Sequence, residues 1–313
     1  MNPTFGSILI KVLAGAVQSG TILLLPTLGE VLTERSGVLN LGLEGLMLIG
    51  AFFGFLGAMK TGNPYIGLLF GMAAAAVVAA MHAFICVTLR GNQTVTGLAI
   101  TIFGTGLSAF YGDRWVLQRI TNAIQPMSIP GLSKVPIIGP IFFSQDLIVY
   151  AGYILVALFW FLLFKTKVGV NLRAVGENAK AADAMGVNVT GTRYFWTILG
   201  GALAGAGGAY ITCCIHPYWL GGMTSGMGWI ALALVVFAMW NPFNALVGAF
   251  LFGSIESLQL QLQAAGTYIN SALLSMLPYL VTFVVIIIAT VIVRVRHVGT
   301  PKELGIPYVR EEK

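Results

Sequence analysis

Two carboxylates stand where carboxylates are expensive. Glu44 and Glu256 each fall inside a long apolar run, and an acidic side chain at the centre of a membrane helix costs roughly 2.5–3.5 kcal/mol on insertion scales. Neither has a basic partner nearby in sequence. Such a group faces a polar pathway or bonds a broken helix end; alternatively it is protonated or backbone-bonded and fixes helix packing. Asn40, between Gly37 and Gly42, is placed to cap a broken segment leading into the Glu44 helix. The stretch "GNQTVTG" at 91–97 is the most polar entry to any apolar run. Asn92, Gln93, Thr94 and Thr96 could hydrogen-bond a polar solute; equally, Asn92 or Thr94 caps the following helix. Phe103 and Trp229 could stack on a solute, although aromatic residues in spans more often serve packing.

Other chemistries find no support. Cys86, Cys213 and Cys214 lie in apolar runs without CxxC spacing, and His82, His216 and His297 are scattered, so the reading is no metal site. No Walker A motif, Gly-rich dinucleotide loop or Ser/His/Asp set is present. An enzyme with its own ATPase site is therefore not expected, and no cofactor is assigned to this chain. The chain is 57% hydrophobic and only 9% charged, against about 25% charged in soluble domains. The net charge of +6 then reads as orientation in a membrane, not as nucleic-acid binding.

The elements that carry these residues are helices, because only helices or closed barrels satisfy the backbone in lipid and the runs are too long for barrel strands. They fall at 8–32, 38–59, 66–89, 94–111, 147–165, 194–215, 227–240, 243–262 and 273–293. The expected fold is all-α: a single polytopic transmembrane helical bundle over 1–313, with about nine to ten spans including broken or re-entrant helices. The run 227–240 is too short to cross untilted and is followed by Asn241-Pro242, a helix breaker.

Charge orients the bundle. With the loop 166–193 in the cytoplasm, Arg35, Arg90, Lys165, Lys167, Arg173, Lys180, Arg193 and the basic C-terminal end share that side. Lys11, Lys60, Arg114, Arg119 and Lys134 lie opposite. The bias favours this assignment, with the N-terminus outside, a periplasmic loop at 112–146 and a cytoplasmic tail at 294–313. That loop, with four prolines, should be ordered by turns. The polar tail, containing Pro301 and Pro307, reads as a solvated end.

One water-facing stretch stands out, "AVGENAKAADAMGVNVTGTRY" at 174–194. Asn178 can cap a helix, Glu177 adds negative charge at its positive end, and Gly186 suits a left-handed C′ position. The result is about two turns, roughly 10 Å. Ala181, Ala184 and Met185 share one face, with Lys180 and Asp183 projecting elsewhere. So short a helix is marginal alone and must dock on something. With no Trp, Phe or Leu as an anchor, its small-residue face suits a protein groove better than a bilayer.

Lys180-Ala181-Ala182 followed by Gly186 reads K-A-A-x-x-x-G. It resembles the EAA loop of ABC-transporter permeases, E-A-A-x-x-x-G, with Lys in place of the leading Glu. A second stretch, "GEVLTERSGVLNLGLEGLMLIGAFFG" at 29–54, looks like the start of permeases that serve nucleoside importers fed by a basic-membrane-lipoprotein type binding protein. These belong to the branch containing the ribose and branched-chain amino-acid permeases. The stretches at 90–108, 172–189 and 228–253 continue the match, which covers nearly the whole chain.

The resemblance implies an ATP-driven importer for nucleosides, in a bacterial inner membrane. Its parts would be a second permease subunit, an ATP-binding cassette subunit carrying ATP and Mg, and a periplasmic or lipid-anchored substrate-binding protein. Glu177, Asn178, Lys180, Ala181, Ala182, Asp183, Met185 and Gly186 would form the coupling helix that enters the ATPase. Asn40, Glu44, Asn92, Gln93, Thr94, Thr96, Phe103, Trp229 and Glu256 are the candidate pathway residues. A permease for a simple sugar or riboflavin-like solute, or a stand-alone secondary transporter, are the alternatives.

Overall fold

The computed structural model describes residues 5–264, 270–296 and 300–310. Positions 297–299 and 311–313 of the expected tail lie outside the described residues. The chain is helical nearly throughout. Seven described helices are long and apolar enough to cross a membrane. The short α10 (Met227–Phe237) and the 20-residue α13 (Leu277–Arg296) account for the remaining apolar runs.

At the centre stands α2 (Leu43–Thr61), whose side chains are buried over most of its length. Against it pack α3 (Pro64–Ala83), α4 (Gln93–Gly112) and α9 (Val189–Tyr210), while α1 (Phe5–Arg35) packs on α9. Lipid tails are as apolar as Leu, so helices in a membrane associate through close packing of small residues. The α2–α9 seam shows this. A Cβ on Gly50 would lie 2.3 Å from the Gly205 carbonyl oxygen, and one on Gly208 would lie 1.9 Å from that of Met47. Both helices can approach only because these positions have no side chain.

The outer segment 112–146 is ordered by turns, short 3₁₀ helices, α5 (Ile138–Phe142) and a two-residue antiparallel pair, β1 (Met127–Ser128) with β2 (Ser144–Gln145). Asp146 then caps α6 (Leu147–Lys165), accepting from Ile148 N and Val149 N. The remaining span is α11 (Pro242–Ala264), which opens on the proline of the Asn241-Pro242 breaker and is followed by α12 (Ser271–Ser275).

Two features differ from the sequence expectation. The run 38–59 does not begin as helix: 36–42 is turn and extended chain, and helix starts at Leu43. The tail is not a solvated end either. Glu303 N donates to Gly176 O at 2.9 Å and Gly305 N to Gly37 O at 3.3 Å, so the chain folds back onto the bundle. Its two prolines stop helix formation but leave the other backbone donors free to bond the helix ends.

Replacing Gly208 with Val should lower the thermal unfolding midpoint in detergent by several degrees, since overpacking costs about 1–3 kcal/mol. Gly106→Ala, where an added Cβ would meet nothing within 4 Å, should leave the midpoint unchanged.

Candidate functional site

Within the bundle, 36–42 leaves peptide groups without helical partners, and lipid offers none. Side chains supply them. Gln93 Oε1 accepts from Leu39 N at 2.7 Å, and His82 Nε2 stands 3.1 Å from Leu39 O. Glu30 Oε1 accepts from Asn40 N at 3.1 Å, Thr101 Oγ1 donates to Leu41 O at 3.0 Å, and Asn40 Oδ1 accepts from Gly42 N at 2.9 Å. Three helices and the segment itself contribute to this casing.

Glu44 lies one turn of chain beyond, at the start of α2. Its Oε1 accepts from the Thr224 hydroxyl at 2.5 Å and from Gly226 N at 2.9 Å, and its Oε2 from Gly228 N at 2.7 Å. These donors form the N-terminus of α10, where free N–H groups and the helix dipole favour negative charge. A Cβ on Gly228 would lie 2.4 Å from Glu44 Cα, so the starts of α2 and α10 touch. One carboxylate thus serves two helix N-termini. At eleven residues, α10 is about 16 Å long, half of a roughly 30 Å hydrocarbon core.

Along its length and at its other end α10 is held by α1. Thr27 Oγ1 lies 3.3 Å from Ala231 O, and Trp240 Nε1 donates to Glu34 Oε2 at 2.6 Å. Arg35 stands 3.5 Å from the carbonyls of Met239 and Trp240. The cation therefore lies where the helix dipole is negative. Met239 and Trp240 both adopt positive φ, 51° and 54°, a conformation that costs side-chain-bearing residues of order 1–3 kcal/mol and persists only when neighbours hold it.

On the same side of the bilayer lies the loop helix α8 (Ala179–Ala184), reached through α7 (Lys167–Glu177). Asn178 Oδ1 accepts from Ala181 N at 2.9 Å. At the other end Val187 N donates to Ala182 O and Gly186 N to Asp183 O, with Gly186 at φ 85°; this is a Schellman stop. Ala179 and Ala182 turn inward and pack with Val175 and Val189. Ala181, Ala184 and Met185 face outward, Met185 with 85% of its surface exposed. Ala182 therefore backs the helix against its own chain and is not part of an outward docking face. The difference arises because i,i+3 spacing pairs Ala182 with Ala179, which sequence alone could not orient.

The returning tail closes this side. Arg310 Nε pairs with Asp183 Oδ2 at 3.2 Å. Tyr308 packs on the Ala179–Ala182 face, and burial, then the Asp183 carboxylate, push its phenol above its ordinary pKa. Arg193, at 1% exposure, joins the parts: Nε donates to Ser36 O at 3.2 Å, Nη1 to Ile306 O at 2.9 Å, and Nη2 lies 3.9 Å from Glu303. A buried guanidinium is costly unless paired; here it ties the tail to the unwound segment.

The comparisons fit this geometry. The family described as the permease component of the branched-chain amino acid transport system matches residues 12–290. The chain belongs to this permease family. Guanosine ABC transporter permease protein NupQ of Bacillus subtilis is 37% identical, over 93% of this chain and 94% of its own. Nucleoside ABC transporter permease protein NupC of Lactococcus lactis is 33% identical over 96% and 97%. TsgC13 of Haloferax volcanii, provisionally named as a glucose ABC transporter permease, is 40% identical over 96% and 97%. A solved metal-chelate type ABC transporter in an inward-facing conformation shares the fold, with a TM-score of 0.51 at 16% identity, covering 88% of this chain and 85% of its own. The permease is thus a multi-pass membrane protein.

The permease uses most of the sequence-selected polar residues as scaffold. Asn40, Glu44 and Gln93 bond the break as described. Asn92 caps α4 through Val95 N at 3.0 Å, and Thr96 Oγ1 donates to Asn92 O at 2.8 Å. Thr94, Phe103 and Trp229 are exposed on the outside of this chain. Glu256 is set apart from the break's bonded casing and lines a cavity of about 290 Å³. Glu30, Glu34, His82, Arg193 and Trp240 were not among the candidate site residues. For the first two a signal existed: carboxylates four residues apart share one helix face, and Glu30 lies inside the first predicted run.

Glu44→Leu should strip the acceptor from two buried N–H groups and a hydroxyl, at about 1–3 kcal/mol each. Its yield of monodisperse, detergent-extracted permease should collapse, whereas Glu44→Gln, which keeps an acceptor oxygen, should retain a substantial fraction. For Arg193→Met, amide hydrogen exchange at 303–306 should accelerate markedly, with Arg310→Ala as the comparison that leaves those amides protected.

Proposed function

We propose that this permease is one transmembrane subunit of an ATP-driven importer for nucleosides. It forms half of the pathway with a second permease subunit, takes solute from a periplasmic or lipid-anchored binding protein, and couples through α8 to a separate subunit that binds ATP and Mg. The chain itself is a transport component without an ATPase site, in a bacterial inner membrane. The observation that carries the reading is the joint one of family and geometry. Relatives named for guanosine and nucleosides align over nearly the full length, and α8 offers an outward face of Ala181, Ala184 and Met185 backed rigidly by its own chain.

Force applied to α8 has a bonded route inward. It passes from α8 through Asp183 to the tail at Arg310, from the tail to Arg193, and from Arg193 to the backbone at Ser36. That residue begins the unwound segment leading to Glu44. Alternating access would reorient α2 and α10 about their shared carboxylate. A simple sugar is the second reading of the solute, favoured by the TsgC13 similarity.

A charge on the outward face separates this reading from a stand-alone carrier. Met185→Glu should fold and reach the membrane at wild-type level, because that side chain touches little of its own chain. Co-purification of the ATPase subunit should fall at least about tenfold, the cost of burying one unpaired charge at an interface, and ATP-driven guanosine uptake should fall with it. Uptake at the normal rate would overturn the coupling role. Ala182 is unsuitable for this test, since a larger side chain there disturbs the permease's own packing.

A further inference from the structure

The buried acidic residues of α1 and α2 all accept hydrogen bonds: Glu30 from Asn40 N, Glu34 from Trp240, and Glu44 from three donors. Glu256, in the middle of α11, differs. Among the described residues it has no hydrogen-bond or ion-pair partner, although it sits inside a membrane span. Leaving a carboxylate so placed without a donor is expensive. The cavity of about 290 Å³ that it lines is near the lower limit of about 300 Å³ for small-molecule pockets, the size of one sugar or one nucleoside.

The cavity has two kinds of wall. Phe252, Met227 and neighbouring aliphatic side chains make it apolar on one part. Glu256, Gln259, Ser225 and Tyr279 bring acceptors and donors to another. Phe252, Glu256 and Gln259 recur at i, i+4 and i+7, one face of α11. No lysine or arginine lines the space; besides Glu256 its polar lining is His216, Gln259, Ser225, Ser275 and Tyr279, a set suited to a neutral, hydrogen-bonding solute. The space also adjoins the break. Met227 is the first residue of α10, and Ser225 O accepts from the Tyr279 hydroxyl one residue before Gly226, whose N–H is held by Glu44. A solute here would press on the segment that the Glu44 carboxylate anchors, as expected for a midplane site beside half-helices.

We propose that this cavity is a solute subsite in which Glu256 accepts hydrogen bonds from two vicinal hydroxyl groups of a neutral solute. A carboxylate has two oxygens that can each take one O–H, and such charge-assisted bonds are the stronger kind. Vicinal hydroxyls are what a ribonucleoside and glucose share, and relatives at 33–40% identity are named for nucleosides and for glucose. Flat or apolar parts of the solute lie against Phe252 and Met227. The inference rests on the importer reading above and specifies its solute contact.

The test uses the complete importer, with its partner subunits, in proteoliposomes. Maximal ATP-driven uptake rates of guanosine and of 2′,3′-dideoxyguanosine are compared for wild type, Glu256→Gln and Glu256→Asp. Discrimination by the binding protein is common to all three and cancels. Glu256→Gln should slow guanosine about tenfold and dideoxyguanosine by less than about twofold, as expected for loss of a charge-assisted bond; Glu256→Asp should recover part of the guanosine rate. Equal slowing of both solutes would give Glu256 a purely structural role, and no slowing of either would remove it from the pathway; both outcomes overturn the proposal. A wild-type importer that ignores guanosine but carries glucose would sink the nucleoside reading alone. The same comparison, with glucose and 2,4-dideoxyglucose, which has no vicinal pair, then decides the diol contact. ATP-driven uptake of neither solute by wild type overturns both.

Discussion

A membrane interior has no water to satisfy an interrupted backbone, and this permease interrupts its backbone twice near the same point. The Glu44 carboxylate bonds the start of α10 directly and stands at the helix start that follows the other interruption. It lies in the first turn of α2 and accepts from the first residues of α10, so two positive helix ends share one negative group. Coulombic attraction between helix ends and carboxylate is strong where water is excluded. The remaining polar side chains of the region, Gln93, His82, Glu30, Thr101 and Asn40, complete the same task around 36–42.

This use of polar residues leaves few for solute. A permease fed by a high-affinity binding protein must let its cargo go, and a pathway with weak contacts does that. The exposed Thr94, Phe103 and Trp229 line the outside of the chain, which a second subunit or lipid would cover. Glu256 stands out against this background because, unlike Glu30, Glu34 and Glu44, it accepts no hydrogen bond among the described residues and lines a cavity.

The break is also mechanically connected. α1 and α10 run side by side and are joined along their length by Thr27 to Ala231 and at their ends by Glu34 to Trp240. Arg193 then links Ser36 to the returning tail. Packed interiors transmit displacement because they resist compression.

Hydropathy and local residue pattern determined much of this protein: an all-α membrane bundle, a short capped helix at Asn178–Gly186, a broken segment at Asn40, and a short apolar run from Met227 that stops at Asn241-Pro242. Those features are local, because span length, capping and helix termination depend on residues within a few turns of one another. Only tertiary structure decided what Glu44 holds, since its donors lie about 180 positions away. The same holds for Arg193, whose partners at Ser36 and Ile306 come from opposite ends of the chain, and for the tail, whose polarity read as solvated until its backbone donors found the helix ends. Which face of α8 turns outward likewise depended on Val175 and Val189, not on the helix itself. A hydrogen bond in lipid goes to whichever acceptor the packing brings near, and sequence separation carries no record of that.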